Sequence, residues 1–424
     1  MALAALRKLV SGSSPLKQSW QEICDDLLRL KDDATVLRLA VELLERYHAF
    51  DDSERLAFFT HLLNEFRVDH DALTAAIAAY QADPSPTNVQ ILNQTSQPNR
   101  RRLFELLNMV PDGMVALLDM RTKIIALRKS NPELDAVSSD LAELFRNWFN
   151  RGILNLRRID WNTPAYLLEK LIRYEAVHEI HGWPDLKQRL SDGKRCFAFF
   201  HPVMPDEPLI FVQVALTRGI ENRIANLIGP NAEPIPQGDA DTAIFYSISN
   251  CQSGLVGIAL GDLLIKQVAT LMTEDLPQIK QFATLSPIPG FARWLSSEAN
   301  PAPELVTDEA LRSLRNVVAL PGWWQNGFDD IRPTLEGLCA HYLTSSGSND
   351  RPLDPVARFH LRNGARLERV NWLGDTSEKG LQQSHGLLVN YLYDLDHVSE
   401  YHAKFVYDHE VTTGNAVQQL LKKM

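Results

Sequence analysis

Apolar positions in the first 150 residues recur at spacings of three and four, with polar residues between them. That is the helical period. It predicts helices over about 17–30, 33–49, 52–66, 70–82, 86–94, 98–108, 112–129 and 132–150. Pro84, Pro86, Pro98, Pro111 and Pro132 fall at or near the joints, where a helix interior would be broken. Asp51 and Glu54 stand at capping-box spacing ahead of Leu56 and Phe58. Only Gly12 and Gly113 occur in this stretch, and the run Arg100, Arg101, Arg102 reads as a solvated helix face.

The grammar then changes. Cys196–Phe200, Leu209–Leu216, Ala243–Ser249, Lys280–Leu285, Leu367–Trp372 and Leu387–Tyr393 read as strands. The turn-rich stretch His201–Pro208 suits an antiparallel connection, and Gly229–Asp241 reads as a polar loop. Helices are predicted at Ile258–Leu276, Asp308–Val317, Pro333–Leu343, Pro355–Arg362 and Thr413–Lys422, with a flexible loop at Thr344–Asp354. In the first of these Leu260, Leu264, Val268 and Leu271 share one face. The expected fold class is multidomain α and α+β. An all-helical domain covers 1–150, and a domain with a mostly antiparallel mixed sheet covers 151–424.

Composition adds exclusions. The 424 residues are 45% apolar and 23% charged, which is ordinary for a globular chain and rules out collagen-like or disordered classes. Forty-three Lys+Arg against 53 Asp+Glu leave a net charge of −10, spread evenly. Bulk attraction to nucleic acid is therefore not expected, and an anionic ligand must be held by local devices. The cysteines, Cys24, Cys196, Cys251 and Cys339, form no CxxC pair, so reduced thiols and a cytoplasmic location are expected. The N-terminal MALAALRKLVSGSS lacks the long apolar core of a secretory signal. Pro208–Leu216, the longest apolar stretch, is interrupted by Gln213 and too short to span a bilayer. His178 and His181 stand in HEIH, which is not HExxH; they read as surface or loop residues, and no metal site is expected.

The unit AIFYSISN, CQSGLVG, IALGDLLIKQV reads as strand, loop and helix start. Glycines at 254, 257 and 261 permit a tight turn and close backbone approach, and helix-start N–H groups favour a phosphate. It is neither a Walker A nor a GxGxxG spacing, and an ordinary glycine turn carries the same signature. In the GNAT acetyltransferase superfamily, coenzyme A pyrophosphate sits in a Q/R-x-x-G-x-G/A loop. Gln252-Ser-Gly254-Leu-Val-Gly257 resembles that loop with its first glycine one place early.

Ser286 ends a predicted strand, and Pro287 after it restricts it to extended backbone. His360 lies on the apolar side of its short helix, with Asn363-Gly364 as a C-cap. Spacing alone does not join these two residues.

The blocks FFHPVMPDEP (199–208), FYSISNCQSGLVG (245–257), LSPIPGF (285–291), FHLRNGA (359–365), RVNWLGD (369–375) and GLLVNYLYD (386–394), in this order, resemble the malonyl-CoA decarboxylase family. The resemblance runs from about Asn147 to Tyr407 and is weaker in the helical part. It implies a helical oligomerisation domain followed by a GNAT-like catalytic domain. It implies Ser286 and His360 as the catalytic serine and histidine. Further, it implies that Gly254 and the segment Val256, Gly257, Ile258, Ala259, Leu260, Gly261, Asp262 bind malonyl-CoA, with Ser247 and Tyr393 as further active-site positions. Some relatives carry a glutamate where this chain has Ala259, so no acid is assigned there. The implied partners are malonyl-CoA, acetyl-CoA and further copies of the chain, as a dimer or tetramer. No separate cofactor is expected, because the thioester carbonyl is itself the electron sink. Two other readings stay open: an acyltransferase on the same scaffold, and a non-catalytic acyl-CoA sensor.

Overall fold

The computed structural model describes residues 18–150, 152–229, 232–258, 260–299, 301–345 and 352–423. Residues 1–17, Ala259 and most of the Thr344–Asp354 loop lie outside them. Among the described residues no helix is long and apolar enough to cross a membrane.

The chain forms two compact units. The first gathers residues up to Asn155 with His201–Glu207 and Gln252–Ala259; the second holds the remainder. Helices of the first run Trp20–Arg29, Asp33–Ala49, Asp52–Asn64, His70–Ala82, Pro86–Thr95, Asn99–Asn108, Gly113–Leu127 and Asp135–Trp148, close to the predicted bounds. The capping box forms as expected: Asp51 accepts from the Glu54 N–H, and Glu54 accepts from the Asp51 N–H. The core is aromatic, with the Tyr47 ring 5.7 Å from Phe58 and 6.2 Å from Phe59. The arginine run is not a solvated face. Arg100 is buried and pairs with Asp140 at 2.6 Å, and Arg101 pairs with Glu143 at 2.7 Å. Three successive residues on a helix point in different directions, so only Arg102 is left to solvent.

The second unit is built on a seven-stranded sheet of order β1-β2-β3-β4-β5-β7-β6. Its strands are β1 Asn155–Ile159, β2 Lys194–His201, β3 Met204–Thr217, β4 Thr242–Asn250, β5 Gln281–Thr284, β6 Arg366–Asn371 and β7 Leu388–Tyr393. β3 and β4 are antiparallel, β4 and β5 parallel, and β7 antiparallel to both β5 and β6. The mixed sheet of the expected fold class is thus present. β3 begins at Met204, so most of the expected His201–Pro208 connection is strand. The helix expected from Ile258 starts at Gly261, and Leu271 is exposed where Ala269 and Met272 are buried.

All four cysteines are free and buried. Burial pushes the Cys24 thiol up to about 12, and the Cys196 and Cys339 thiols up as well.

Candidate active site

Strand alternation prepares one face of β5 and β7. Side chains two apart share a face, so Phe282, Thr284 and Ser286 follow one another opposite Tyr393, Tyr391 and Val389. Phe282 pairs with Tyr393 in the ladder, and Ser286 bridges Val389. That bridge fixes the serine by two backbone hydrogen bonds: its N–H donates to the Val389 carbonyl at 2.8 Å and its carbonyl accepts from the Val389 N–H at 3.0 Å. Pro287 then stiffens it from the other side.

The histidine arrives on the helix Pro355–Arg362. Asp354 caps that helix, accepting from the Val356 N–H at 2.8 Å and the Ala357 N–H at 3.0 Å. Burial raises the Asp354 pKa, while these N–H groups pull it back. Gly364, at φ +81°, supplies the left-handed turn that ends the helix.

His360 and Ser286 meet. His360 Nε2 lies 3.2 Å from Ser286 Oγ, and Nδ1 lies 2.8 Å from the Tyr393 hydroxyl. Ser286 Oγ donates to Thr284 Oγ1 at 2.8 Å, and Thr284 Oγ1 also accepts the Tyr391 N–H at 3.1 Å. With the serine proton directed at Thr284, Ser286 Oγ accepts from Nε2–H and Nδ1 accepts from Tyr393. The network therefore selects the neutral Nε2–H tautomer. The ring stacks on Tyr391 at 4.6 Å and 23°. Among the described residues no carboxylate touches it, and burial lowers its pKa from 6.5 to about 3.

Ser247 is not part of this cluster. Its hydroxyl donates to Glu175 at 2.7 Å and lies 3.3 Å from Ser249 Oγ. Glu175 also accepts from Gln213 and from the N–H groups of Val177 and His178. The cause is a bulge where β4 pairs with β3: Ser247 faces Gln213, Phe245 faces Val214, and Tyr246 is the extra residue. Tyr246 packs with Ala283 and Leu285 on the face opposite Thr284. The bulge turns Ser247 to that side too.

The three glycines of the loop and helix start separate on inspection. A Cβ on Gly254 would lie 2.4 Å from the Leu118 carbonyl oxygen, and one on Gly261 would lie 2.6 Å from the Phe359 ring. Both are required by packing. Gly257 is different: it has φ +81°, and a Cβ there would meet nothing within 4 Å. Val256 beside it is 49% exposed. Ile258 and Leu260 are buried, and Gly261 opens the helix Gly261–Asp275, with Asp262 next in it.

Thr284, Tyr391 and Glu175 were not singled out from sequence. Thr284 stands two before Ser286 on one strand, a spacing that could have flagged it. Tyr391 reads as core, and Glu175 as the end of a helix. His178 sits in a loop as expected; burial lowers its pKa to about 4.

Comparison with known proteins agrees across the chain. The family model for the malonyl-CoA decarboxylase C-terminal domain matches residues 152–424, and that for the N-terminal domain matches 66–149. A curated relative from Anser anser anser, "Malonyl-CoA decarboxylase, mitochondrial", is 32% identical over 439 residues, 95% of this chain and 86% of that protein. One of the same description from Mus musculus is 31% identical, over 93% of this chain and 86% of its own. The crystal structure of malonyl-CoA decarboxylase from Rhodopseudomonas palustris is 45% identical with a TM-score of 0.89, covering 95% of this chain and all of that one (100%). That from Agrobacterium vitis is 44% identical with a TM-score of 0.91 and the same coverage, 95% and 100%. A helical region leading into a mixed sheet, a buried serine–histidine contact and these matches converge: the chain belongs to the malonyl-CoA decarboxylase family.

Proposed function

We propose that this chain converts malonyl-CoA to acetyl-CoA and carbon dioxide, with His360 and Ser286 at the reacting carbon. The observation that carries the reading is the Ser286–His360 contact at 3.2 Å, backed by Tyr393 at 2.8 Å, in a member of this family. When the carboxylate carbon leaves, the electron pair of the broken C–C bond passes into the thioester carbonyl as an enolate. The sink belongs to the substrate, so the reaction asks for no separate cofactor. The protein must stabilise the enolate and return a proton to carbon. Preorganised donors contribute about 3–4 kcal/mol each to the first task.

For the second, Nε2–H of His360 is the donor, acting at the serine end of the pair. The proton forms the new C–H bond, and the Tyr393 hydroxyl at Nδ1 steadies the ring from its other side. A malonyl carboxylate beside the imidazole opposes burial and favours a second proton on the ring. Loss of that carboxylate as carbon dioxide withdraws the support, and the imidazolium gives its Nε2 proton to carbon and returns to the neutral ring. The phosphates fall to the segment Gly254–Asp262, of whose described side chains and glycines Val256 and Gly257 are open.

Carboxyl-labelled malonyl-CoA tests the reading. Label is expected in carbon dioxide with no acceptor present. Acetyl transfer only with an acceptor would instead indicate an acyltransferase, and binding without turnover a sensor; either outcome rejects decarboxylation.

The helical region is proposed to carry self-association, as a dimer or tetramer. Helices His70–Ala82 and Pro86–Thr95 bury only Ala76 among their residues, and Ile77, Tyr80, Val89 and Ile91 stay exposed. Apolar side chains left exposed on two neighbouring helices are what an interaction surface would use. Ile77→Asp with Ile91→Asp should lower the mass measured by light scattering, and an unchanged mass would reject this surface.

A further inference from the structure

Arg121 lies in the helix Gly113–Leu127 and is 7% exposed. Its guanidinium donates to the carbonyls of Gly254 and Val256, the latter at 2.9 Å, and its Nε donates to the Ser138 carbonyl at 3.2 Å. All three acceptors are backbone oxygens, with no carboxylate among them. Burial lowers the Arg121 pKa, Arg146 and Arg128 push in the same direction, and Asp135 pushes back. A buried cation whose hydrogen bonds all go to backbone carbonyls, with Asp135 acting only at longer range, is a costly way to pack a helix. An apolar side chain would serve packing alone.

The peptide plane shows what the fork achieves. In a trans peptide the carbonyl and the following N–H point in opposite directions. With the Val256 carbonyl drawn onto Arg121, the Gly257 N–H points away from it, and that N–H has no partner among the described residues. It belongs to the glycine with open space around it, beside the exposed Val256. The guanidinium holds the carbonyl ends of the loop peptides, aims a free donor to the open side, and leaves its positive charge behind that donor.

We infer that Arg121 is a positioning residue for coenzyme A: through the Gly254 and Val256 carbonyls it aims the loop's N–H at the pyrophosphate. This rests on the decarboxylase reading above. It gives the helical unit a part in substrate binding, besides any part in assembly.

The test uses the full-length protein, with malonyl-CoA and with malonyl-pantetheine, which has the same thioester and no phosphates. Arg121→Lys keeps a cation but cannot grip two carbonyls at once. It should raise KM for malonyl-CoA, and Kd for free coenzyme A by calorimetry, about tenfold to a hundredfold, the scale of one charge-assisted hydrogen bond. Its kcat should stay within about threefold, and kcat/KM for malonyl-pantetheine should not change. Arg121→Gln, which retains a neutral donor, is the second variant and should show the same split between substrates. If both substrates suffer equally, Arg121 is structural and the inference fails. It fails too if neither parameter moves. Wild-type protein that binds no coenzyme A would overturn the decarboxylase reading itself, a separate result.

Discussion

Replacing His360 by Asn, or Ser286 by Ala, should reduce carbon dioxide release by a factor of about 10²–10⁴, the usual contribution of a positioned proton donor. KM for malonyl-CoA should stay nearly constant, because neither side chain belongs to the Gly254–Asp262 segment. Asn can still reach Tyr393 from the Nδ1 position, so the helix capped by Asp354 should fold, but it presents no Nε2–H to the substrate. Ala at 286 removes the acceptor that holds Nε2–H and leaves Thr284 without the serine proton. The two groups act as a unit, so the double variant should be hardly slower than the worse single one. Steady-state rates of the three proteins decide it. Near-normal kcat in both single variants would remove the pair from the mechanism.

Acid should destabilise the fold through the same histidine. Its folded pKa, about 3, lies below the unfolded value of 6.5 because burial disfavours the cation. Below pH 6.5 the unfolded chain binds a proton that the native ring refuses, so stability falls as pH drops toward 3. Between pH 7.5 and 5 this one group should remove about 2 kcal/mol, and over the whole window about 5 kcal/mol. His178 and His385, both lowered to about 4, act with the same sign. Asp354, raised by burial, acts against them. Urea titrations at pH 7.5 and 5.0 on wild type and His360→Asn isolate the term. The variant should lose about 2 kcal/mol less than wild type on acidification. Equal losses would show that the ring is not held neutral by the fold.

Much of this architecture was legible from residue pattern. The helices of the first unit follow from a clean period and from caps such as Asp51, because local periodicity and end chemistry are short-range properties. β1 was missed because Asn155–Ile159 is short and carries two arginines, so it offers no alternation to read. The Ser286–His360 pair was legible only through resemblance. Ser286 and His360 are brought together by β7 and by the helix laid beside it, and no spacing along the chain encodes that approach. The glycines divide by their surroundings. A pattern that reads as a phosphate turn mixes two packing glycines, Gly254 and Gly261, with Gly257, whose surroundings are open. Ser247 lies apart from the Ser286–His360 pair for a third reason, since a single bulged residue reverses the face on which it emerges. Arg100 taught the same about charge: a run of like residues says nothing of the partners that each finds.

The buried cysteines have a practical consequence. A thiol must be both exposed and deprotonated to react with a disulfide reagent; all four are buried while the protein is folded, and burial pushes the Cys24, Cys196 and Cys339 thiols up as well. The rate of their modification therefore reports how often the surrounding structure opens. Cys24 stands in the helical unit, and Cys196, Cys251 and Cys339 in the other. The native chain thus carries its own labels for following the breathing of each unit separately, with no probe introduced.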